Sequence, residues 1–259
     1  AGQFAIAVAI VICTLVIDRQ TAFMRDADRG YVKSGLLIGQ PLRGNDAALE
    51  RRMLDALRSV PGVAAIGFGE LEPRPHSMSR SAYKYAGPNG PVDIQILFDR
   101  VGPGYFEVYR PRLLAGRWFD PARGQDEGPD ADNLRDGTGS FNVVVNAKTI
   151  ATLGFATPGM AIGQVLTNDG LKARIIGVVD DMRFVSPRDP VSPEIIFFDT
   201  LARVPFVDPI PAVRFQGVTR AVMAQRLDRA WASVRPELAS SFQPADERME
   251  MYFTGDDRR

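Results

Sequence analysis

Residues 1–17 (AGQFAIAVAIVICTLVI) carry no charged side chain, and the pattern turns polar abruptly at Asp18-Arg19. At ~1.5 Å rise per residue, a helix over this run spans roughly 25 Å, a little short of the ~30 Å hydrocarbon layer. The sequence starts at Ala1 without an initiator Met, and neither a basic region before the run nor a small-residue cleavage site after it is present. The pattern therefore predicts a membrane helix trimmed at its start rather than a signal peptide. A helix buried in a soluble core is the competing reading. Residues 18–29 keep helical composition with charges interspersed. They predict a solvated stalk that continues the helix and stops at Gly30, a residue suited to the left-handed position after a helix end.

Beyond the stalk, apolar spacing predicts two similar units far apart in sequence. Leu36-Leu37-Ile38 reads as a strand. Asn45 or Asp46 can cap a helix with Leu49, Met53, Leu54 and Leu57 on one face, ended by Pro61-Gly62, before a strand over 63–68. Near the other end, 212–215 reads as a strand and Thr219 caps a helix with Val222, Met223, Leu227, Ala230 and Trp231 on one face. Pro236 ends it, and 238–242 predicts a further strand. Each unit alone leaves an apolar helix stripe uncovered. The two are expected to share one mixed sheet with both helices on the same face, the middle of the chain being an insertion.

Within that middle, strands are predicted at 94–98, 143–145, 165–166, 173–179 and 195–198, with one helical turn at 105–108 and a short helix at 147–153. Asn168-Asp169-Gly170 predicts a tight hairpin, since Asp-Gly supplies the positive φ angles such a turn needs. Residues 124–139 are rich in Gly and Asp without apolar periodicity, and read as an exposed, mobile loop.

The 31 basic and 31 acidic residues cancel. No sequence-wide field gathers polyanions, so nucleic acid is not expected as a partner. Cys13 is the sole cysteine, which excludes an intrachain disulfide and a cysteine metal cluster. Arg19, Arg25, Arg29 and Lys33 flank the apolar run, but large domains translocate regardless of such charges, so they do not fix the side.

Motifs that carry chemistry are sparse. No P-loop run is present, so nucleotide hydrolysis is not expected in this chain. His76 is the sole histidine and lies in a Pro-Arg-Pro-His-Ser loop without a nucleophile elbow. Asp130, Asp132, Asn133 and Asp136 imitate a calcium loop, but Arg135 stands at its sixth position and Phe141 at its twelfth. Asp180-Asp181 reads as a strand-end turn, because neighbours on a strand point to opposite faces. Tyr105, Phe106, Trp118 and Phe119 read as packing rather than a ligand box. No catalytic, cofactor-binding or metal residue is expected. The alternatives are a membrane-anchored hydrolase using His76 or Asp180-Asp181, and a periplasmic sensor or binding module.

Three ordered stretches, 101–120 (VGPGYFEVYRPRLLAGRWFD), 142–164 (NVVVNAKTIATLGFATPGMAIGQ) and 174–190 (RIIGVVDDMRFVSPRDP), resemble the periplasmic core domain of MacB-type ABC transporter permeases. Gln3-Phe4-Ala5-Ile6-Ala7 and Asp28-Arg29-Gly30-Tyr31 resemble the helix that precedes it, and Asp246-Glu247-Arg248 with Tyr252 the approach to the next membrane helix. Departures from the family pattern fall at Asp180 and at Tyr109-Arg110. The resemblance implies an α+β fold: a porter-like subdomain of two strand–helix–strand units sharing a sheet, an inserted mixed α/β subdomain, and a preceding transmembrane and stalk helix. The implied boundaries are 1–30 for that helix, 31–75 and 191–250 for the halves of the porter subdomain, 76–190 for the insertion, and 251–259 for the next membrane approach. The implied function is mechanotransmission from a cytoplasmic ATPase, which alone uses ATP, to export or release outside the inner membrane. The implied partners are that ATPase, a second permease copy, a periplasmic adaptor, and lipid around residues 1–17.

Overall fold

In the computed structural model of the chain, the described residues are 10–16, 19, 28–42, 46–70, 80–87, 90–184, 190–200, 209–245 and 247–248. Residues 10–16 are helical and leave their apolar side chains exposed, Ile10 at 61% and Leu15 at 58%. Among the described residues no helix is long and apolar enough to cross a membrane. Most of the predicted membrane and stalk helix, like His76, Asp246 and Tyr252, lies outside the described residues.

The two distant units meet in one antiparallel sheet. Strand β1 (Leu36–Ile38), helix α1 (Ala47–Arg58) and strand β2 (Val63–Gly69) come from the first; β10 (Ile210–Phe215) and α6 (Arg220–Val234) come from the second. β10 lies between the other two strands, pairing Val213 with Leu37 on one side and with Ile66 on the other. α1 begins where the Asp46 carboxylate accepts from the Ala48 and Leu49 amides, and α6 where Thr219 accepts from Val222, each side chain satisfying an otherwise orphaned donor. Met53, Leu54 and Leu57 of α1 and Met223, Leu227 and Trp231 of α6 cover the same sheet face, against Leu37, Ile66, Phe68 and Val213. Val222 departs from expectation. It is 40% exposed, since the buried stripe through 223, 227 and 231 leaves it about 100° off the face.

The predicted strand at 238–242 shrinks to one antiparallel bridge, in which Gln243 and Ile38 exchange two backbone hydrogen bonds of 2.8 and 3.0 Å. The reason is local. A turn closes at Leu238, whose amide donates to Arg235, and its carbonyl accepts the Trp231 indole N–H at 2.9 Å. The resulting order, Gln243–β1–β10–β2, is that of a split βαβ pair.

One residue of α1 opposes its setting. Glu50 is 1% exposed, and neither carboxylate oxygen has a hydrogen-bond partner among the described residues. Burial raises its pKa from 4.5 to about 7, against the attraction of Arg100. The folded chain thus holds this proton more tightly than the unfolded chain does. The contribution is fully present below about pH 4.5 and is lost as pH rises through about 7, by on the order of 2–3 kcal/mol. Glu50→Gln removes the charge and keeps the shape. It is expected to raise the urea midpoint at pH 8 and to flatten its decline between pH 5 and 8; a lower midpoint at pH 8 contradicts this account.

The middle of the chain closes on itself. Strands β3 (Arg80–Gly87), β4 (Gly90–Val101), β6 (Ser140–Asn146), β7 (Val165–Asn168), β8 (Leu171–Val179) and β9 (Glu194–Phe198) run in the order β4-β3-β7-β8-β6-β9. Parallel pairing of β9 with β4, from Leu97↔Glu194 to Val101↔Phe198, completes a six-stranded barrel. β5 (Leu113–Gly116) adds to β8. Strand pleating sends alternate side chains inward. Tyr83, Tyr85, Ile96, Val143, Leu166, Ile175 and Ile195 fill the interior with Ile150, Leu153 and Ala161 from α4 (Ala147–Thr152) and α5 (Pro158–Ala161), while Val144, Ile176, Ile196 and Phe198 face outward.

The Asp169-Gly170 hairpin forms as expected, with φ of 43° and 92°. Three differences stand out. β3 and β5 were not predicted, β4 extends well beyond 94–98, and the supposed loop at 124–139 holds a 3-10 turn (Gly124–Asp126) and α3 (Ala131–Asp136), opened by a capping box between Asp130 and Asn133. The helices and the mixed sheet together make the predicted α+β class.

Candidate functional site

Barrel and sheet join at few points. β4 reaches β2 through one residue pair, Gly69↔Val101, flanked by backbone bonds Glu70 N–Arg100 O (3.0 Å) and Gly102 N–Phe68 O (2.9 Å). The chain then turns at Gly102-Pro103-Gly104 into α2 (Tyr105–Tyr109), which lies on β2 and β10. One apolar cluster spans the junction, drawing Ile38, Ile210 and Ala212 from the sheet, Tyr105, Val108 and Tyr109 from α2, and Val144, Ile176, Ile196 and Phe198 from the barrel.

The neck, residues 28–35, enters this junction and is held from three sides. Gly30 takes φ +72°, and a Cβ there would lie 2.1 Å from the Asp181 carbonyl oxygen, so only glycine fits. Beside it the Arg29 carbonyl accepts from Arg183 N at 2.8 Å. The Tyr31 ring stacks on Phe184 at 5.0 Å and meets Tyr109 edge-on at 5.7 Å. Val32 N donates to the Tyr109 carbonyl at 3.0 Å. From β10, the Arg214 guanidinium donates to the carbonyls of Val108 (2.6 Å), Val32 (2.6 Å) and Ser34 (2.5 Å). Arg214 therefore ties sheet, α2 and neck into one body. Burial, with the nearby Arg110 adding to it, pulls its pKa down to about 10, so it remains a cation at neutral pH.

A second charged cluster fixes the far side of α2. Asp126 is fully buried; it accepts from Arg117 through both oxygens (2.5 and 2.9 Å), from Asp120 N at 2.8 Å and from Asn142 at 2.6 Å. Burial alone would raise its pKa, but these donors outweigh it and hold the carboxyl below its ordinary value. The pair pins the Trp118 segment. Phe106 stacks on Trp118 at 4.3 Å, and Phe119 on Phe198 at 5.4 Å. Tyr105 is fully buried, as the packing reading predicts, whereas half-buried Phe106, Trp118 and Phe119 also wall an open groove of about 430 Å³.

Over residues 4–238 the chain matches the family described as the MacB-like periplasmic core domain. It belongs to that family. The macrolide export ATP-binding/permease protein MacB of Rhodopseudomonas palustris (strain BisB18) is 37% identical over 95 residues, which is 37% of this chain and 13% of that protein. The fold of this chain is similar to that of the periplasmic region of MacB from Actinobacillus actinomycetemcomitans (TM-score 0.53, 14% identity, 87% of this chain and 95% of that one). A domain of a putative permease protein from Porphyromonas gingivalis is similar too (TM-score 0.51, 14% identity, 83% and 92%).

In this MacB-like domain the sequence-predicted candidates have structural partners. Asp180 pairs with Arg112 at 2.6 Å, and Asp181 accepts from Lys148 N at 2.9 Å while burial pushes its carboxyl up. The two sit at the end of β8, as a strand-end turn requires. Asp130 caps α3, and Arg135 pairs with Asp132 and Asp136, each at 3.0 Å. Among the described residues no group of three or more His, Cys, Asp or Glu is arranged to hold a metal ion. Sequence reasoning missed Arg214 and the Arg117–Asp126 pair. The signal for the first was present, a single charge inside the apolar strand IPAVRF. Asp126 gave none, because its partners at 117 and 142, nine and sixteen positions away, follow no helix or strand spacing.

Proposed function

We propose that this chain is the extracytoplasmic part of an ABC transporter permease, passing motion from a cytoplasmic ATPase to the export or release of substrate outside the inner membrane. The observation that carries this reading is the held neck. Tyr31 and the Val32 and Ser34 carbonyls are bound to α2, to the segment after β8 and to β10 by rings and charge-assisted hydrogen bonds. A displacement of the preceding segment is then carried into barrel and sheet together instead of being absorbed at a hinge. The exposed apolar side chains of residues 10–16 support lipid contact there. Gln243 on the edge of β1, with Arg248 donating to the Gly39 carbonyl, brings the far end of the domain beside the neck. In this reading ATP is used by the ATPase alone, and a second permease copy and a periplasmic adaptor complete the assembly. Macrolides, named for the Rhodopseudomonas relative, are the first substrates to assay.

The test uses the whole transporter. A proline within a helix costs about 3 kcal/mol and kinks it. Ala22→Pro is expected to leave ATP hydrolysis intact while export falls to background. Spin labels at position 132 of each permease copy, with Cys13 replaced by Ser, should shift apart or together with ATP in the parent and stay still in Ala22→Pro. Movement that persists in the kinked protein overturns the proposal.

A further inference from the structure

The two ends of the barrel differ. α4 and α5 pack Ile150, Leu153 and Ala161 into one. The other, where β3, β6 and β8 begin and β4, β7 and β9 end, keeps a cavity of about 140 Å³. Its walls are mainly apolar: Tyr83, Phe98, Phe141, Leu171 and Phe197. Over it runs the segment carrying α3, strapped at both sides, by Gly128 N to the Phe198 carbonyl (2.7 Å) and by Lys172 N to the Gly139 carbonyl (3.0 Å). Between the straps Leu134 lines the cavity while remaining 56% exposed.

Size and charge together select a ligand. A partly open cleft of about 140 Å³ with mainly apolar walls admits a molecule of about the size of benzene, whose ring gains by leaving water for those walls. The charges at the rim already answer each other: Arg100 pairs with Asp199 at 2.6 Å and faces Glu70 at 3.7 Å. An anion or a cation would have to break that arrangement. The Ser81 hydroxyl, the Asn168 amide and the phenol of Tyr83 supply polar groups without formal charge. Burial pushes the Tyr83 phenol up to about 12, so it stays neutral.

We propose that this end of the barrel binds a small neutral aromatic molecule, a single ring with one hydrogen-bonding substituent. The site is separate from the neck and does not depend on the transport reading. Phenol is the probe, titrated into the whole chain in lipid nanodiscs with leucine methyls observed by NMR. The Leu134 and Leu171 signals should shift and saturate, while Leu54, buried in the separate core between α1 and the sheet, controls for non-specific effects and stays in place. Ser81→Trp fills the cavity and is expected to weaken binding at least tenfold. Should that variant fail to fold, Leu134→Ala removes one wall from an exposed position and is expected to weaken it about fivefold. Shifts that never saturate, that include Leu54 equally, or that are unchanged in a folded variant overturn the proposal.

Discussion

Arg214→Met is expected to lower the stability of the folded domain by about 2–3 kcal/mol. The substitution keeps an unbranched stem of similar length, so loss of packing is small. What it removes is the donor set. The carbonyls of Val32, Ser34 and Val108 each take one N–H from this guanidinium. A buried acceptor left without its donor costs about 1–3 kcal/mol, and charge-assisted bonds stand at the upper part of the range. The removed charge itself carried a burial penalty, visible in its lowered pKa, which offsets part of the loss. The Val108 carbonyl is buried and is left orphaned, while those of Val32 and Ser34, on exposed residues, exchange the guanidinium for water, so the net effect is destabilising. Urea unfolding should show a midpoint lower by roughly 1–2 M. Arg214→Lys retains the charge but offers one donor position in place of a planar fork, so it should recover less than half of the difference. An unchanged midpoint in Arg214→Met would show that the neck is held by its aromatic contacts and backbone hydrogen bonds without help from the guanidinium.

The parts of this fold that the sequence reveals are those decided by neighbours along the chain. Asp46 and Thr219 announce their helices because a cap acts over three residues. Asp169-Gly170 announces its hairpin because the φ values it needs are local. β3 was legible and overlooked: Tyr83 and Tyr85 point inward while Ala82, Lys84 and Ala86 face outward, a clean period of two. Ring closure is of another kind. Nothing near Phe98 or Ile195 states that β4 and β9 pair in parallel, about a hundred positions apart. The 124–139 segment misleads for the same reason. Its Gly and Asp content describes a loop, but Asp126 is held by Arg117 and Asn142, and Asp130 is used as a helix cap. The split sheet was inferred correctly because it rests on a global requirement, two apolar helix stripes that neither unit can cover alone. The neck shows the limit. Gly30 stands out in the sequence as a glycine, yet the Asp181 carbonyl that forbids any side chain there comes from the segment after β8, about 150 positions along the chain.

The second large effect belongs to Gly104, where backbone meets backbone. Its φ is +83°, and a Cβ would stand 2.0 Å from the Ile66 carbonyl oxygen. The matching position on the strand is Gly67, whose Cβ would stand 2.6 Å from Tyr105 N. Neither side has room to retreat. Ile66 is paired with Val213 and Gly67 with Ala212, while α2 is fixed by Arg214 and by the burial of Tyr105 and Val108. Gly104→Ala therefore meets two costs, the left-handed conformation at about 1–2 kcal/mol and the clash. Gly154 separates them. It too has φ +83°, but nothing lies within 4 Å of its added Cβ, so Gly154→Ala carries the conformational cost alone. Gly154→Ala is expected to lower stability by about 1 kcal/mol, and Gly104→Ala by at least 3 kcal/mol, a large part of the roughly 5–15 kcal/mol by which a typical domain is stable. The two variants are compared by urea unfolding at one pH. Equal losses would mean that α2 can lift from β2 without penalty. That same freedom would disconnect the barrel from the sheet, because α2 is where the neck, the sheet and the barrel all make contact.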